Sequence, residues 1–304
     1  MTTVGGASKR GSHRLAEAVQ CPRKWYLHNG RGISPKKPPI YFLEGTLVHV
    51  ALAYHWAAKL PVKPDWYTRE TVDEALLKAG TGFPDAIKLA KDIAAAYARH
   101  YGPNDPWTPV AIEQEWFASL GDLRKMLNPA AASQDDDSEQ VSCRIDLLIR
   151  TNGKLWAVDY KTTAHGTGSR LPTFNPEGEF GLRWQFVLQA AILRKNFGAE
   201  FGGIVVERVY KKSPYDFDRS VAPIPRRVYL DLPNVIAEAA RAERKIAQDA
   251  AAAMSRGADM EVWMPPGHYW HCFPYGKPCE YRQICVSETD AEMREVVRRE
   301  YKVE

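Results

Sequence analysis

Two aspartates and a lysine stand where a short hairpin would bring them onto one face. The stretch from Val141 to Lys161 carries Asn152-Gly153 between two apolar runs. That dipeptide favours a type I′ turn, because both central positions need positive φ. A two-residue loop pairs Thr151 with Lys154. Carried back along the strands, this register sets Asp146 opposite Asp159 and Arg144 opposite Lys161. Ile145, Leu147 and Ile149 then share the other face with Tyr160, Val158 and Trp156. Directly opposed Cβ atoms lie roughly 4.5–5.5 Å apart, so the two carboxylates repel. A divalent cation between them removes that cost, since hard ions such as Mg²⁺ take a few carboxylate oxygens and complete their shell with water and phosphate. Lys161, on the same face, could orient or deprotonate an attacking water or stabilise charge developing on the phosphate. An isolated Asp-x-Lys is ordinarily a solvent-exposed, ion-paired strand face; the register and the opposed acid set this one apart.

The surrounding segments supply elements to hold that hairpin. A helix is predicted over Ser12 to Gln20 and another from Glu44 to Lys59, with Leu47, Val48, Ala51, Leu52 and Trp56 on one stripe. His49 lies on that second helix. Helical patterns follow near residues 68–79 and 84–101, within a helical elaboration of about residues 50–105. From Pro109 the pattern turns strand-like through Val110 and Ile112 to Phe117. This strand carries Glu113 and Glu115, either of which could support the acids. Asn128 to Gln140 reads as an exposed loop. Beyond the hairpin come a helix over Leu182 to Asn196, a strand over Gly203 to Tyr210, a long alanine-rich helix over Pro233 to Arg256 stopped by Gly257, and a charged helix over Glu288 to Tyr301. Helices, then strands, then helices give an α/β class with a mixed sheet, here read as one domain over residues 1–304.

Composition sets the bounds. The 304 residues are 45% hydrophobic and 26% charged, which is ordinary for a globular protein and excludes wholesale disorder. Lys and Arg number 41 against 37 Asp and Glu, a net charge of +4. That excess permits a nucleic-acid partner without requiring one. No signal-peptide pattern and no run of about 18 apolar residues is present. The expectation is a soluble, cytoplasmic protein with no membrane partner, whose five cysteines serve as metal ligands, nucleophiles or core residues in place of disulfides.

Cys143-Arg144-Ile145-Asp146 followed by Val158-Asp159-Tyr160-Lys161 resembles the core of the PD-(D/E)xK nuclease superfamily, with Asp at the D/E position. The resemblance implies a restriction-endonuclease-like mixed β-sheet core and hydrolysis of DNA. It implies Mg²⁺ or Mn²⁺ held by Asp146, Asp159 and the backbone carbonyl of Tyr160, with Lys161 assisting the water. Gly45-Thr46-Leu47-Val48-His49 resembles the helical histidine motif of the RecB-like branch, which makes His49 a further metal ligand. Trp184-Gln185-Phe186-Val187-Leu188-Gln189 is similar to that branch's Gln-x-x-x-Tyr motif. Gln185 matches and would orient the lysine or a phosphate; Gln189 stands where the tyrosine would be.

Cys272, Cys279 and Cys285, with the distant Cys21, could hold an iron–sulfur cluster or a zinc ion. An early Cys-Pro-Arg-Lys with three late cysteines resembles the CRISPR-associated-type iron–sulfur exonucleases and their phage-type relatives. In these a [4Fe–4S] cluster ties the termini together. The final x5 spacing agrees, whereas the preceding spacing is x6 in place of the commoner x2. Cys143 falls on the apolar hairpin face and is expected to be a buried, inert thiol. Arg23, Lys24, Lys211 and Lys212, near Trp25, Tyr26, Tyr210 and Tyr215, are candidate contacts to DNA phosphates and unstacked bases. The resemblance leads to a metal-dependent exonuclease of DNA recombination or repair, acting with a recombination or helicase partner and encoded by a phage or its host. The alternatives are a non-catalytic DNA-binding adaptor and a zinc-stabilised endonuclease.

Overall fold

The structure, a computed structural model, describes residues 10–37, 39–102, 105–129, 137–163, 184–267 and 279–303. Along the chain run α1 (Ser12–Gln20), α2 (Pro22–Trp25), β1 (Ile33–Pro35), α3 (Ile40–Ala57), α4 (Asp65–Arg69), α5 (Val72–Ala79), α6 (Pro84–Tyr101), β2 (Thr108–Ser119), α7 (Leu120–Leu127), β3 (Gln140–Thr151), β4 (Lys154–Thr163), α8 (Trp184–Phe197), β5 (Phe201–Tyr210), β6 (Asp216–Val221), α9 (Arg226–Ser255), α10 (Arg282–Cys285), α11 (Asp290–Glu300) and β7 (Tyr301–Val303). Their contacts fall into two units, one built on Pro39–Leu232 and one on Lys9–Pro38 with Pro233–Glu304.

The first unit is organised by the hairpin. Asn152 and Gly153 have φ of 48° and 72°, the two positive values a type I′ turn needs. Thr151 pairs with Lys154, and the ladder runs back to Leu147 against Val158. There the described pairing stops, which corrects the expectation that it continues through Asp146 and Asp159. On its other edge β4 pairs in parallel with β5 from Leu155 to Thr163, and β3 stays paired with β2, so each strand remains in the sheet where the two part. The two strands part where their facing residues are both carboxylates, so splaying relieves the like-charge contact. The sheet order is β2-β3-β4-β5-β6, antiparallel except for the β4–β5 pair. This is the mixed sheet expected from the sequence. Strand β6, the short β1 and β7, and helix α7 were not foreseen, and α3 begins four residues before the expected start.

Helix α3 is apolar on almost every side and buries Leu47, Val48, Leu52 and Trp56 completely. That pattern marks a helix enclosed by its neighbours. It packs against α6 and against the sheet face carrying Leu147, Ile149, Val158 and Tyr160. Helix α8 packs against β2, β3 and β5. Among the described residues no helix is long and apolar enough to cross a membrane.

Behind α3 lies a polar cluster. Arg219 lies between the rings of Tyr101 and Trp107, 3.4 Å from each centroid. Its nitrogens donate to Glu207 at 2.7 Å, to both oxygens of Asp105 at 3.1 and 2.7 Å, and to the Tyr97 hydroxyl at 3.1 Å. Tyr101 donates its hydroxyl to the other Glu207 oxygen at 2.6 Å. Glu207 is fully buried, and burial pushes its carboxyl up despite Arg219.

In the second unit, β1 pairs with β7, aligning Ile33 with Val303 and Pro35 with Tyr301. Tyr281 donates its hydroxyl to the Ile33 carbonyl at 2.8 Å, over a core of Leu27, Ile33, Ile284, Met293 and Tyr301. A second small core joins Ala18, Trp25 and Tyr26 to Ile246, and the Trp25 indole donates to Glu243 at 2.8 Å. Segments from the two ends of the sequence are therefore held side by side.

Removing Arg219 would strand two buried carboxylates, and breaking such a pair costs about 3–5 kcal/mol. Arg219→Ala is expected to lower the unfolding free energy by that amount in urea titrations. A loss below about 1 kcal/mol would mean that the cluster contributes little.

Candidate active site

Helix α3 brings His49 to the point where β3 and β4 part. Its Nδ1 lies 3.4 Å from Asp146 Oδ1. The other Asp146 oxygen accepts the Tyr160 backbone N–H at 2.7 Å. A side chain thus binds the β4 backbone just beyond the last described β3–β4 pair. Gly45, one turn before His49, permits the close approach, because a Cβ there would lie 3.1 Å from Thr162 Oγ1.

Strand β2 supplies the third group. A bulge between Pro109 and Ala111 shifts its register, after which Ile112 pairs with Leu147 and Gln114 with Ile145. Glu113, between them, falls opposite Asp146. Its φ of 51° is rare for a residue with a side chain and costs on the order of 1–3 kcal/mol, the kind of strain that collects at functional sites. It is nearly buried. Donor atoms of His49, Glu113 and Asp146 all lie within 4.8 Å of one another. Glu115 instead pairs with Arg144, at 4.0 Å. The geometry therefore separates two acids that the sequence left equivalent. The signal was Pro109 inside a strand, which points to a bulge, but the shift it causes needs the partner strand.

Asp159 turns a different way. Lys161 Nζ stands 2.5 Å from its Oδ1. The Gln185 amide donates to Oδ2 at 2.7 Å and accepts from Lys161 at 3.2 Å, so one side chain clamps both. Gln189, in the position of the expected tyrosine, aims its amide at the same Oδ2 at 3.4 Å. The ring of Phe186 lies 5.4 Å from the ammonium. The Tyr160 side chain is buried beside His49, with ring centroids 5.8 Å apart.

The charges follow from this packing. Burial alone would raise the Asp146 carboxyl, but His49, the Tyr160 N–H and Lys161 together hold it below the usual range. Asp159 goes the other way: burial, with Asp146 adding to it, outweighs Lys161. Burial disfavours a charged His49, yet Asp146, Glu113 and Asp159 push the imidazole up to about 9. The site thus demands positive charge. One imidazole and two carboxylates suit a small divalent cation such as Mg²⁺ or Mn²⁺. A cleft of about 630 Å³ lined by Tyr54, His55, Tyr67 and Glu70 contains none of these groups.

The other expected residues are distributed over both units. Cys21, Cys279 and Cys285 all belong to the second unit and are half-buried. Lys24 ties the neighbourhood of Cys21 to that of Cys279, bonding Glu17 at 3.2 Å and Glu280 at 3.1 Å. Burial, with Cys285 adding to it, pushes the Cys279 thiol up to about 11. Cys272 lies outside the described residues. Cys143 is buried on β3, and burial pushes its thiol far up, as expected of an inert one. Of the four basic candidates, Lys24 is held by its two carboxylates and Arg23 donates to the Pro265 carbonyl at 3.1 Å. Lys211 lies 2.5 Å from Glu44 with its side chain mostly covered, while Lys212 is exposed.

Comparison with known proteins gives these features a context. The family model described as the PD-(D/E)XK nuclease superfamily matches residues 12–286. No curated protein matches the chain. Among solved structures, the chain is similar to a crystal structure named "Putative exonuclease" from Eubacterium rectale, at 12% identity and a TM-score of 0.47, covering 78% of this chain and 80% of that one. It is also similar to SSO0001, at 13% identity and a TM-score of 0.27, covering 64% of this chain and 73% of that one.

Ligand substitutions should be felt strongly, since even outer partners of a metal commonly change affinity 10–100-fold. Glu113→Gln is expected to weaken Mn²⁺ binding at least tenfold by calorimetry, with Glu115→Gln within about twofold of the wild type. Equal losses in the two variants would remove Glu113 from the ligand set.

Proposed function

Because the chain belongs to the PD-(D/E)XK nuclease superfamily, we propose that it is a Mg²⁺- or Mn²⁺-dependent deoxyribonuclease that digests DNA from an end. The observation that carries this reading is the convergence of His49, Glu113 and Asp146 beside a lysine held by Asp159 and Gln185. His49, Glu113 and Asp146 would hold the cation, and by the family resemblance Asp159 and the Tyr160 carbonyl would complete its ligands on the β4 side. A cation bound there would offset charge on the scissile phosphate and on the leaving oxygen. Asp146 stays ionised because His49 and the Tyr160 N–H stabilise its charge. Lys161 orients the attacking water, and Gln185 keeps its ammonium aimed by taking one of its protons in a hydrogen bond while tethering Asp159. Nothing in the sequence resembles a helix-turn-helix, zinc-finger or other base-reading motif, so little sequence specificity is expected. The setting we favour is end processing in recombination or repair, alongside a recombination or helicase partner.

In the second unit, Cys21, Cys272, Cys279 and Cys285 hold a [4Fe–4S] cluster of structural role in this reading. The support is the union of Cys21, Cys279 and Cys285 in one unit whose terminal segments already pair through β1 and β7. A cluster there closes a long loop, which otherwise costs entropy.

Two outcomes are expected. On end-labelled linear DNA with Mn²⁺ or Mg²⁺, the wild type should degrade the substrate and Lys161→Ala should be slower by about 10²–10⁴-fold. Closed circles should survive. Equal inertness of both proteins with intact DNA binding would instead support an adaptor. Purified wild type should be brown and Cys279→Ala colourless and less soluble; a colourless wild type with one zinc per chain would sink the cluster.

A further inference from the structure

The first two turns of α3 present apolar side chains that the core does not use. Ile40, Tyr41 and Phe42 are 47%, 37% and 55% exposed, whereas Leu43, Leu47 and Val48 on the same helix are buried. The rings of Tyr41 and Phe42 lie 4.5 Å apart and inclined at 37°. Phe42 is two helical turns from His49, which puts it within about 20° of the same direction and about 10 Å along the axis. Between them on that face come Gly45, which has no side chain, and Thr46, whose hydroxyl donates to the Phe42 carbonyl at 3.1 Å. Residues 42, 45, 46 and 49 are all exposed or half-buried. They make one partly exposed stripe running from the aromatic pair towards the candidate metal ligands, flanked at Gly45 by Thr162 of β4.

The start of the stripe is fixed in place. Glu44 holds the Lys211 ammonium at 2.5 Å, anchoring α3 to the end of β5. The next residue, Lys212, is exposed and adds a positive charge at that edge. The exposed apolar ring, the partly exposed stripe and the cation together fit a nucleic-acid strand, whose bases stack on aromatic faces and whose phosphates attract lysine. A spacing of about 10 Å corresponds to about three nucleotides at the 3.4 Å step of a stacked strand, and fewer in an extended one. Paired bases are already stacked on their neighbours, so only an unpaired base can lie on Phe42.

We propose that Phe42, backed by Tyr41, is a base-stacking platform for single-stranded DNA. It takes a nucleobase one to three nucleotides from the bond cut at Asp146 and Lys161. The inference rests on the nuclease reading of that site and adds the substrate class: a strand that is single-stranded for at least those few nucleotides. Phe42 acts by positioning the strand and touches no reacting atom.

Binding of a labelled oligodeoxythymidine, followed by anisotropy with Ca²⁺ present, tests this in the full chain. Phe42→Ala should weaken binding about 5- to 150-fold, the stacking of one base, and Phe42→Trp should restore it. A single abasic nucleotide moved along the oligomer should cost the wild type a similar factor at one position and cost Phe42→Ala almost nothing there. In cleavage assays the alanine variant should raise KM and leave kcat within about twofold. Wild-type cleavage with Phe42-independent binding would overturn the platform while leaving the nuclease standing. Phe42-dependent binding by a protein that cuts nothing would do the reverse. Unchanged DNA binding with loss of self-association on size exclusion would assign the patch to a second copy of the chain and overturn the proposal.

Discussion

Two carboxylates, the half-buried Asp146 and the buried Asp159, sit on neighbouring strands at the point where those strands stop pairing. Negative charge so close in a covered site is unfavourable unless something positive answers it. His49 answers Asp146 and Lys161 answers Asp159. Much of the first unit serves to keep those answers in place. The turn at Asn152-Gly153 sets the register, and the splay beyond Leu147 and Val158 opens the space. Gly45 lets α3 come close enough to deliver the imidazole. The carboxylates that push the His49 imidazole up to about 9 mark a concentration of negative charge that a divalent cation would also answer.

Support comes from both flanks. Gln185 and Gln189 on α8 fix Asp159, so the lysine is aimed by a side chain that touches both members of its ion pair. On the α3 side, the packing of Tyr97 and Tyr160 continues outward to Arg219 and its two carboxylates. These groups therefore lie two ring contacts from His49, through Tyr97 and Tyr160. The second unit is built differently. Small apolar clusters, a two-stranded sheet and ion pairs such as Lys24 with Glu280 bind segments from both ends of the sequence into a modest core.

Local signals were legible in the sequence, and long-range ones were not. Asn152-Gly153 fixed the hairpin register, because a type I′ turn admits few residues, and the alternation along β3 and β4 then sorted acids from core. His49 and Gln185 were legible through motif resemblance. Glu113 could not be separated from Glu115, because the choice depends on a bulge whose effect appears only against β3. The parting of β3 and β4 was missed for a related reason: a turn dictates where pairing begins, and the two opposed carboxylates bear on where it ends. Gln189 was read as a lost tyrosine, whereas its amide supports Asp159. The basic doublets were the least informative, since Lys24 and Lys211 are each committed to carboxylates that no local pattern reveals.

The central claim is that the negative charge gathered around Asp146 exists to hold a divalent cation. The most direct measurement is an anomalous-scattering map from crystals grown with Mn²⁺. The account predicts a peak bonded to His49, Glu113 and Asp146, with Lys161 still beside Asp159. A map with no peak at that point under saturating Mn²⁺, or with manganese only elsewhere, would contradict it.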